Sequence, residues 1–230
     1  MSPARLPTDV LIERLEPFAD PGRAAKERAY LKSERNFLGV SVPDGRRAVR
    51  QLAKDTDLVH RDDVLAVAKD WWAGPWWECR RSAVELLTFR VDALGPGDLG
   101  FIESLIRDGE TWALVDGLAG DVAARIVARG VDPDVDATLD RWSTDPDSFW
   151  VRRASMLALL LVLKRDLEQW DRFCRYADGM LSEREFFIRK AIGWVLREVS
   201  KSHPDPVRAW VEPRLELMSG VTRREAMKYL

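Results

Sequence analysis

Several kinds of signal are scarce in this 230-residue sequence. Sustained alternation of apolar and polar residues is missing, and no hairpin dipeptide sits between β-branched runs, which argues against a sheet protein. Two cysteines, Cys79 and Cys174, provide no disulfide framework, fit a reducing compartment and read as small core residues. Two histidines, His60 in a polar stretch and His203 in a Ser-His-Pro turn, suggest surface or capping roles. Together these four residues lack zinc-like spacing, so no metal and no cofactor is expected. Glycine-rich phosphate loops and a GxSxG elbow are absent, leaving nucleotide-binding and serine-hydrolase readings without support. The longest apolar run, SMLALLLVL at residues 155–163, is far too short to cross a bilayer. The N-terminus turns acidic and amphipathic where a leader would be apolar, so a soluble cytoplasmic protein with no membrane partner is expected. Charge of one sign is missing too: 36 basic residues face 38 acidic ones, for a net charge of −2. Any grip on a polyanion would therefore need the basic residues sorted onto one face.

What the sequence does have is helical periodicity, interrupted by short Pro, Gly and Asp clusters. Helices are predicted near 7–18, 22–32, 44–55, 61–73, 77–91, 97–107, 111–129 (with a break), 133–143, 149–164, 166–177, 183–200, 205–213 and 221–229. Thr8, Asp62, Asp98 and Ser182 have the chemistry of N-caps, and Pro21, Pro43, Pro133 and Pro204 mark helix starts. Ten tryptophans are many for this length. Most of them, including Trp71, Trp72, Trp76 and Trp77, are expected to pack between helices.

A weak repeat runs through the chain. Basic pairs followed by a small residue begin at Arg46, Arg80, Arg152, Arg189 and Arg223, separated by 34, 72, 37 and 34 positions. Aromatic residues precede several of them, such as Phe149 and Trp150, or Phe186 and Phe187. A period in the thirties with two helices per unit predicts an all-α, HEAT-like helical-repeat solenoid, an α-α superhelix, as a single domain over 1–230. Stacking would align Arg46, Arg47, Arg152 and Lys190 near helix starts, making a concave cationic groove that could track phosphates. Such arginines could equally tie neighbouring repeats together through Glu and Asp. The doubled spacing leaves one register without a basic pair, and it falls at Asp116, four residues after Trp112. A carboxylate among cations would stay ionised. On these residues alone it is either a salt bridge with Trp112 in the core, or a site.

The ordered pieces resemble a known family. FFIRKAIGWVLRE (186–198), RREAMKY (223–229), AYLKSERNFLGVSVPDGRR (29–47), WALVD (112–116) and FWVRRA (149–154) are similar to elements of the AlkD-like DNA alkylation repair glycosylases, which excise 3-methyladenine and 7-methylguanine. The resemblance covers nearly the whole chain. It implies a DNA glycosylase acting in base excision repair as a monomer on double-stranded DNA containing cationic N3- or N7-alkylated purines. It implies that Asp116 is the catalytic carboxylate and that Trp112 and Trp194 pack against the DNA backbone at the lesion. It further implies that Arg153 contacts phosphate, that Tyr30 borders the DNA and that Arg197 supports the site. Thr111, Ala113 and the additional Gly45 depart from the family's pattern, which bears on lesion preference.

A purine alkylated at N3 or N7 already carries positive charge, so it can leave without a general acid. One carboxylate suffices to stabilise an oxocarbenium-like sugar and orient water, and aromatic faces add attraction to the cation.

Overall fold

A computed structural model of the chain describes residues 6–230. The first five positions of the N-terminal reading lie outside the described residues. Among those described, every regular element is helical, apart from one isolated bridge between Asn36 and Trp76. No helix among them is long and apolar enough to cross a membrane. The chain forms two compact units, one through Leu94 and one from Gly95 onward.

The first unit contains α1 (Thr8–Leu15), α2 (Pro21–Leu31), α3 (Val42–Asp55), α4 (Arg61–Trp72) and α5 (Trp77–Phe89). Its core includes Leu11 and Leu15, Val49 and Leu52, Val64 and Val67, and Ala83 with Leu86 and Leu87, each set following the first member by three or four positions. Trp71 is fully buried and its indole N–H donates to the Leu6 carbonyl at 2.9 Å. Trp72 and Trp77 are buried as well, the latter stacked on Phe37, while Trp76 is half-buried. The loop before α3 is held by a buried carboxylate: Glu78 accepts hydrogen bonds from the backbone N–H groups of Leu38, Gly39 and Val40. Gly39 adopts φ +79, and a Cβ there would lie 2.0 Å from the Asp20 carbonyl oxygen, so only glycine fits.

The second unit runs through α6 (Leu99–Arg107), α7 (Trp112–Gly117), α8 (Ala124–Val127), α9 (Pro133–Ser143), α10 (Phe149–Leu157) and α11 (Leu160–Arg165). It continues with α12 (Trp170–Met180), α13 (Phe186–Ser200), α14 (Pro204–Val211) and α15 (Gly220–Ala226). Ile102, Ile106, Leu139, Val151, Phe173, Ile188, Ile192 and Val195 form its core.

The repeat shows in the polar contacts. Arg46 to Glu85, Arg90 to the Ala53 carbonyl, Arg107 to Asp145, Arg153 to Asp116 and Arg214 to Asp178 each join residues 36 to 39 positions apart. A side chain of one repeat thus bonds its neighbour in the next, as a one-dimensional array of helix pairs requires.

The prolines fared best as boundary signals, and two of them follow capping aspartates that the sequence reading did not single out. Asp20 and Asp132 cap α2 and α9, each accepting two backbone N–H groups, with proline following at once. The four expected N-caps act differently: a distant partner claims Thr8, and the other three take local roles or none. Thr8 is the first residue of α1 and bonds the Asp70 carboxylate. Asp62 lies in the first turn of α4 beside Arg61, and His60 flanks that helix without a side-chain cap. Asp98 accepts from the Gly95 N–H, closing the turn before α6. Ser182 precedes a non-helical stretch, and α13 begins at Phe186 with Glu185 as its cap.

Two helices differ from the sequence reading. The expected break within 111–129 is instead a π-helical turn, Leu118–Ala123, joining α7 to α8; an extra residue is absorbed without loss of the helix. The single helix expected over 149–164 is divided into α10 and α11. Ser155 to Leu163 is buried almost throughout, so the run shows no apolar–polar period from which a break could be read.

Candidate active site

Helix α7 opens with Thr111 as its cap, the hydroxyl accepting from the Ala113 N–H at 3.4 Å. Trp112 and Asp116 are one turn apart and share a face. Trp112 is 37% exposed, which is high for a tryptophan and unlike its buried counterparts in the core. The Asp116 side chain is 18% exposed.

Arg153, on α10, reaches Asp116 with two parallel hydrogen bonds, Nε to Oδ1 at 2.8 Å and Nη2 to Oδ2 at 2.9 Å. Its Nη1 donates to the Phe187 carbonyl at 2.6 Å. The guanidinium carbon lies 5.9 Å from the Phe187 ring and 5.8 Å from the Trp194 ring, both carried by α13. Only 2% of the Arg153 side chain is exposed. Contacts from α7 and α13 therefore fix this guanidinium, and it holds the carboxylate with the planar geometry that lysine cannot supply. A carboxylate has about four acceptor sites. Arg153 takes two, leaving two on a group that solvent reaches.

Around this centre stands an aromatic cluster. Phe149 and Phe187 stack at 6.4 Å, Trp150 lies 4.8 Å from Phe187, and Phe186 meets Phe187 edge-on at 5.3 Å. The Lys190 ammonium lies 6.0 Å from the exposed Phe186 ring. Trp194, half-buried, follows Gly193, where α13 and α15 touch backbone to backbone.

The structure thus brings together Asp116, Arg153 and Trp194, with Trp112 on the same helical face as Asp116. Other expected site residues have partners or settings of their own. Arg152, next to Arg153, turns to Glu183 through bonds of 2.9 and 2.8 Å and to the Asp145 carbonyl. Arg197 pairs with Glu225 and Glu198. Tyr30, Arg46 and Arg47 belong to the first unit. Tyr30 is 73% exposed on α2, Arg46 pairs with Glu85, and Arg47 pairs with Asp44. Arginines of the repeat register thus mostly join neighbouring elements, whereas Lys190, Arg223 and Arg224 face solvent. Arg153 belongs to the bonded group, not to a row of outward-facing charges.

Sequence reasoning missed the Phe187 carbonyl as an anchor, since a backbone acceptor carries no residue signal. It also missed a second charged node. Glu103 on α6 accepts from Arg107, Arg141 and the Trp142 indole, while Arg107 also pairs with Asp145. Burial would raise the Glu103 pKa, but hydrogen bonds from Arg141, Arg107 and Trp142 outweigh it and hold it at about 2. Among the described residues no three His, Cys, Asp or Glu side chains gather in a way that could hold a metal ion.

Comparison with known proteins bears on these features together. The family model described as DNA alkylation repair enzyme matches residues 11–230. A solved structure described as a predicted DNA alkylation repair enzyme from Enterococcus faecalis superposes with a TM-score of 0.78 at 24% identity. The match covers 92% of this chain and 96% of that one. The crystal structure of smu.31 from Streptococcus mutans UA159 aligns with a TM-score of 0.57 at 17% identity, covering 81% of this chain and 99% of that one. At these identities both are likenesses of fold. No curated protein matches the chain. With a match that spans nearly its full length, the chain belongs to the DNA alkylation repair enzyme family.

Proposed function

We propose that this protein is a DNA glycosylase that hydrolyses the N-glycosidic bond of cationic N3- or N7-alkylated purines in double-stranded DNA. The observation that carries the proposal is the state of Asp116: locked by a buried arginine, yet open to solvent one turn from an exposed tryptophan. A positively charged base leaves without being protonated, so the enzyme need only stabilise the sugar cation and direct water. The two remaining acceptor positions of Asp116 suit those tasks, and preorganisation by Arg153 removes the cost of reorienting the carboxylate during reaction. Trp112 and Trp194 offer aromatic faces to the sugar–phosphate backbone and the developing charge. Approach from the backbone side needs no base-sized pocket, so bulky adducts would be accepted beside methyl groups. Contacts to phosphate fall to exposed cations such as Lys190, with Arg46 and Arg47 able to exchange their carboxylate partners for phosphates.

The test is incubation with methylated duplex DNA and measurement of released 3-methyladenine and 7-methylguanine. The wild type should release both. Asp116→Asn should lose roughly 100- to 1,000-fold in rate while DNA affinity is retained, because the stabilisation removed exists only in the transition state. A wild-type protein that binds DNA and releases no alkylpurine would instead make the Asp116–Arg153 pair a structural tie between repeats and the protein a non-catalytic reader of DNA structure.

A further inference from the structure

We infer that α15 is a positioning element for Asp116, acting through α13 and Arg153, with Gly193, Thr222 and Glu225 as its working residues. The inference rests on the reading of Asp116 given above. Arg153 owes its placement to α13, which supplies the Phe187 carbonyl and the rings of Phe187 and Trp194. Where α13 sits is decided on its other side. A Cβ on Gly193 would lie 2.8 Å from the Glu225 Cβ, 2.9 Å from the Thr222 carbonyl oxygen and 3.2 Å from the Thr222 Cα. No flexible side chain separates the two helices there, so a shift of one is a shift of the other.

Two polar contacts fix the register of that approach. The Thr222 hydroxyl, on a residue only 1% exposed, donates to the Arg189 carbonyl at 3.0 Å, and Arg197 of α13 pairs with Glu225. The Arg189 carbonyl belongs to the first turn of α13, close in sequence to the carbonyl that holds Arg153. Close-packed interiors transmit small displacements instead of absorbing them. A few tenths of an ångström at Gly193 should therefore reach the guanidinium and, through its two parallel bonds, the carboxylate. A helix that merely covered the apolar face of α13, as the last unit of a repeat array does, would have no need of a contact so close at Gly193.

The experiment uses the full chain with Gly193→Ala, Thr222→Val and, as a control of stability alone, Leu52→Ala in the first unit. The Arg153 Nε–H signal, identified by its loss in Arg153→Lys, reports the bond to Asp116 by its shift and its exchange with solvent. The second readout is excision of 3-methyladenine, separated into the rate at saturating DNA and the half-saturating DNA concentration. In Gly193→Ala and Thr222→Val the Nε–H should shift and exchange faster. The saturated rate should fall roughly 10- to 100-fold with half-saturation unchanged, the signature of a misplaced catalytic group. Leu52→Ala should leave both readouts at wild-type values in its folded fraction. An Nε–H signal and a rate that stay at wild-type values in both α15-contact variants would overturn the inference. Thr222→Val, which keeps the shape of the side chain, decides the matter if Gly193→Ala does not fold. If the wild type excises nothing, the glycosylase reading fails, and the Nε–H signal alone still shows whether α15 sets the Arg153–Asp116 bond.

Discussion

Arg153 and Asp116, 37 positions apart in sequence, meet edge to edge through bonds of 2.8 and 2.9 Å, with the arginine buried and the aspartate partly open. A buried cation that has lost its counter-ion is costly, about 3 to 5 kcal/mol when one partner of such a pair is removed. The asymmetry in exposure is what sequence alone could not supply: the arginine is enclosed and the carboxylate keeps an open edge, so under the proposed function the first is the support and the second the group presented.

Replacing Arg153 should therefore act on chemistry and leave phosphate contact alone. Arg153→Ala is expected to cut the excision rate as deeply as Asp116→Asn, while the slope of log affinity against log salt stays at the wild-type value. A slope shallower by about 0.9 would mean that the side chain releases Asp116 and reaches a phosphate in the complex.

Lys190 should behave in the opposite way. It is exposed one turn along α13 from Phe186 and on the way to Trp194. Lys190→Ala is expected to weaken binding to damaged and undamaged duplex alike and to reduce the salt slope by about 0.9, with little change in the saturated excision rate. A lower saturated rate with an unaltered slope would remove Lys190 from the phosphate-contacting set.

The Glu103 node predicts acid sensitivity in the second unit. Folding lowers its pKa from an ordinary 4.5 to about 2. Its contribution is complete above pH 4.5 and disappears as pH falls towards 2, because the unfolded chain takes up the proton first. The two values correspond to about 3 kcal/mol. Glu103→Gln should be destabilised by a comparable amount at neutral pH, and its stability should change less than that of the wild type across that acid range. Equal acid dependence in the two proteins, followed by denaturant titration, would count against the node.

Both thiols should be chemically quiet. Burial pushes Cys79 up to about 11 and Cys174 up to about 12. Little of either is thiolate at neutral pH, so iodoacetamide should label the folded chain far more slowly than the unfolded one, as mass spectrometry would show. Rapid labelling of native Cys174, the less buried of the two, would contradict this.

Much of the architecture was legible in residue order. Helix-forming periodicity, the proline starts of α2 and α9 and the basic-pair spacing near 36 each depend on local chemistry or on near neighbours in a repeat. That spacing returned in the structure as the distance between bonded side chains. Trp112 and Asp116 could be paired because four residues on one helix share a face whatever surrounds them.

Burial and partnership were decided only by the tertiary structure. Nothing local distinguishes Arg152, which turns to Glu183, from Arg153, which turns to Asp116: the two are adjacent, and the 100° step between successive helical residues sends them to different neighbours. The same holds for the Phe187 carbonyl, the contact at Gly193 and the expected cap Thr8, drawn to Asp70. Periodicity says which side of a helix is apolar. Which carboxylate lies within 3 Å of a given guanidinium depends on how two helices from different repeats are packed, and that is a property of the assembled chain.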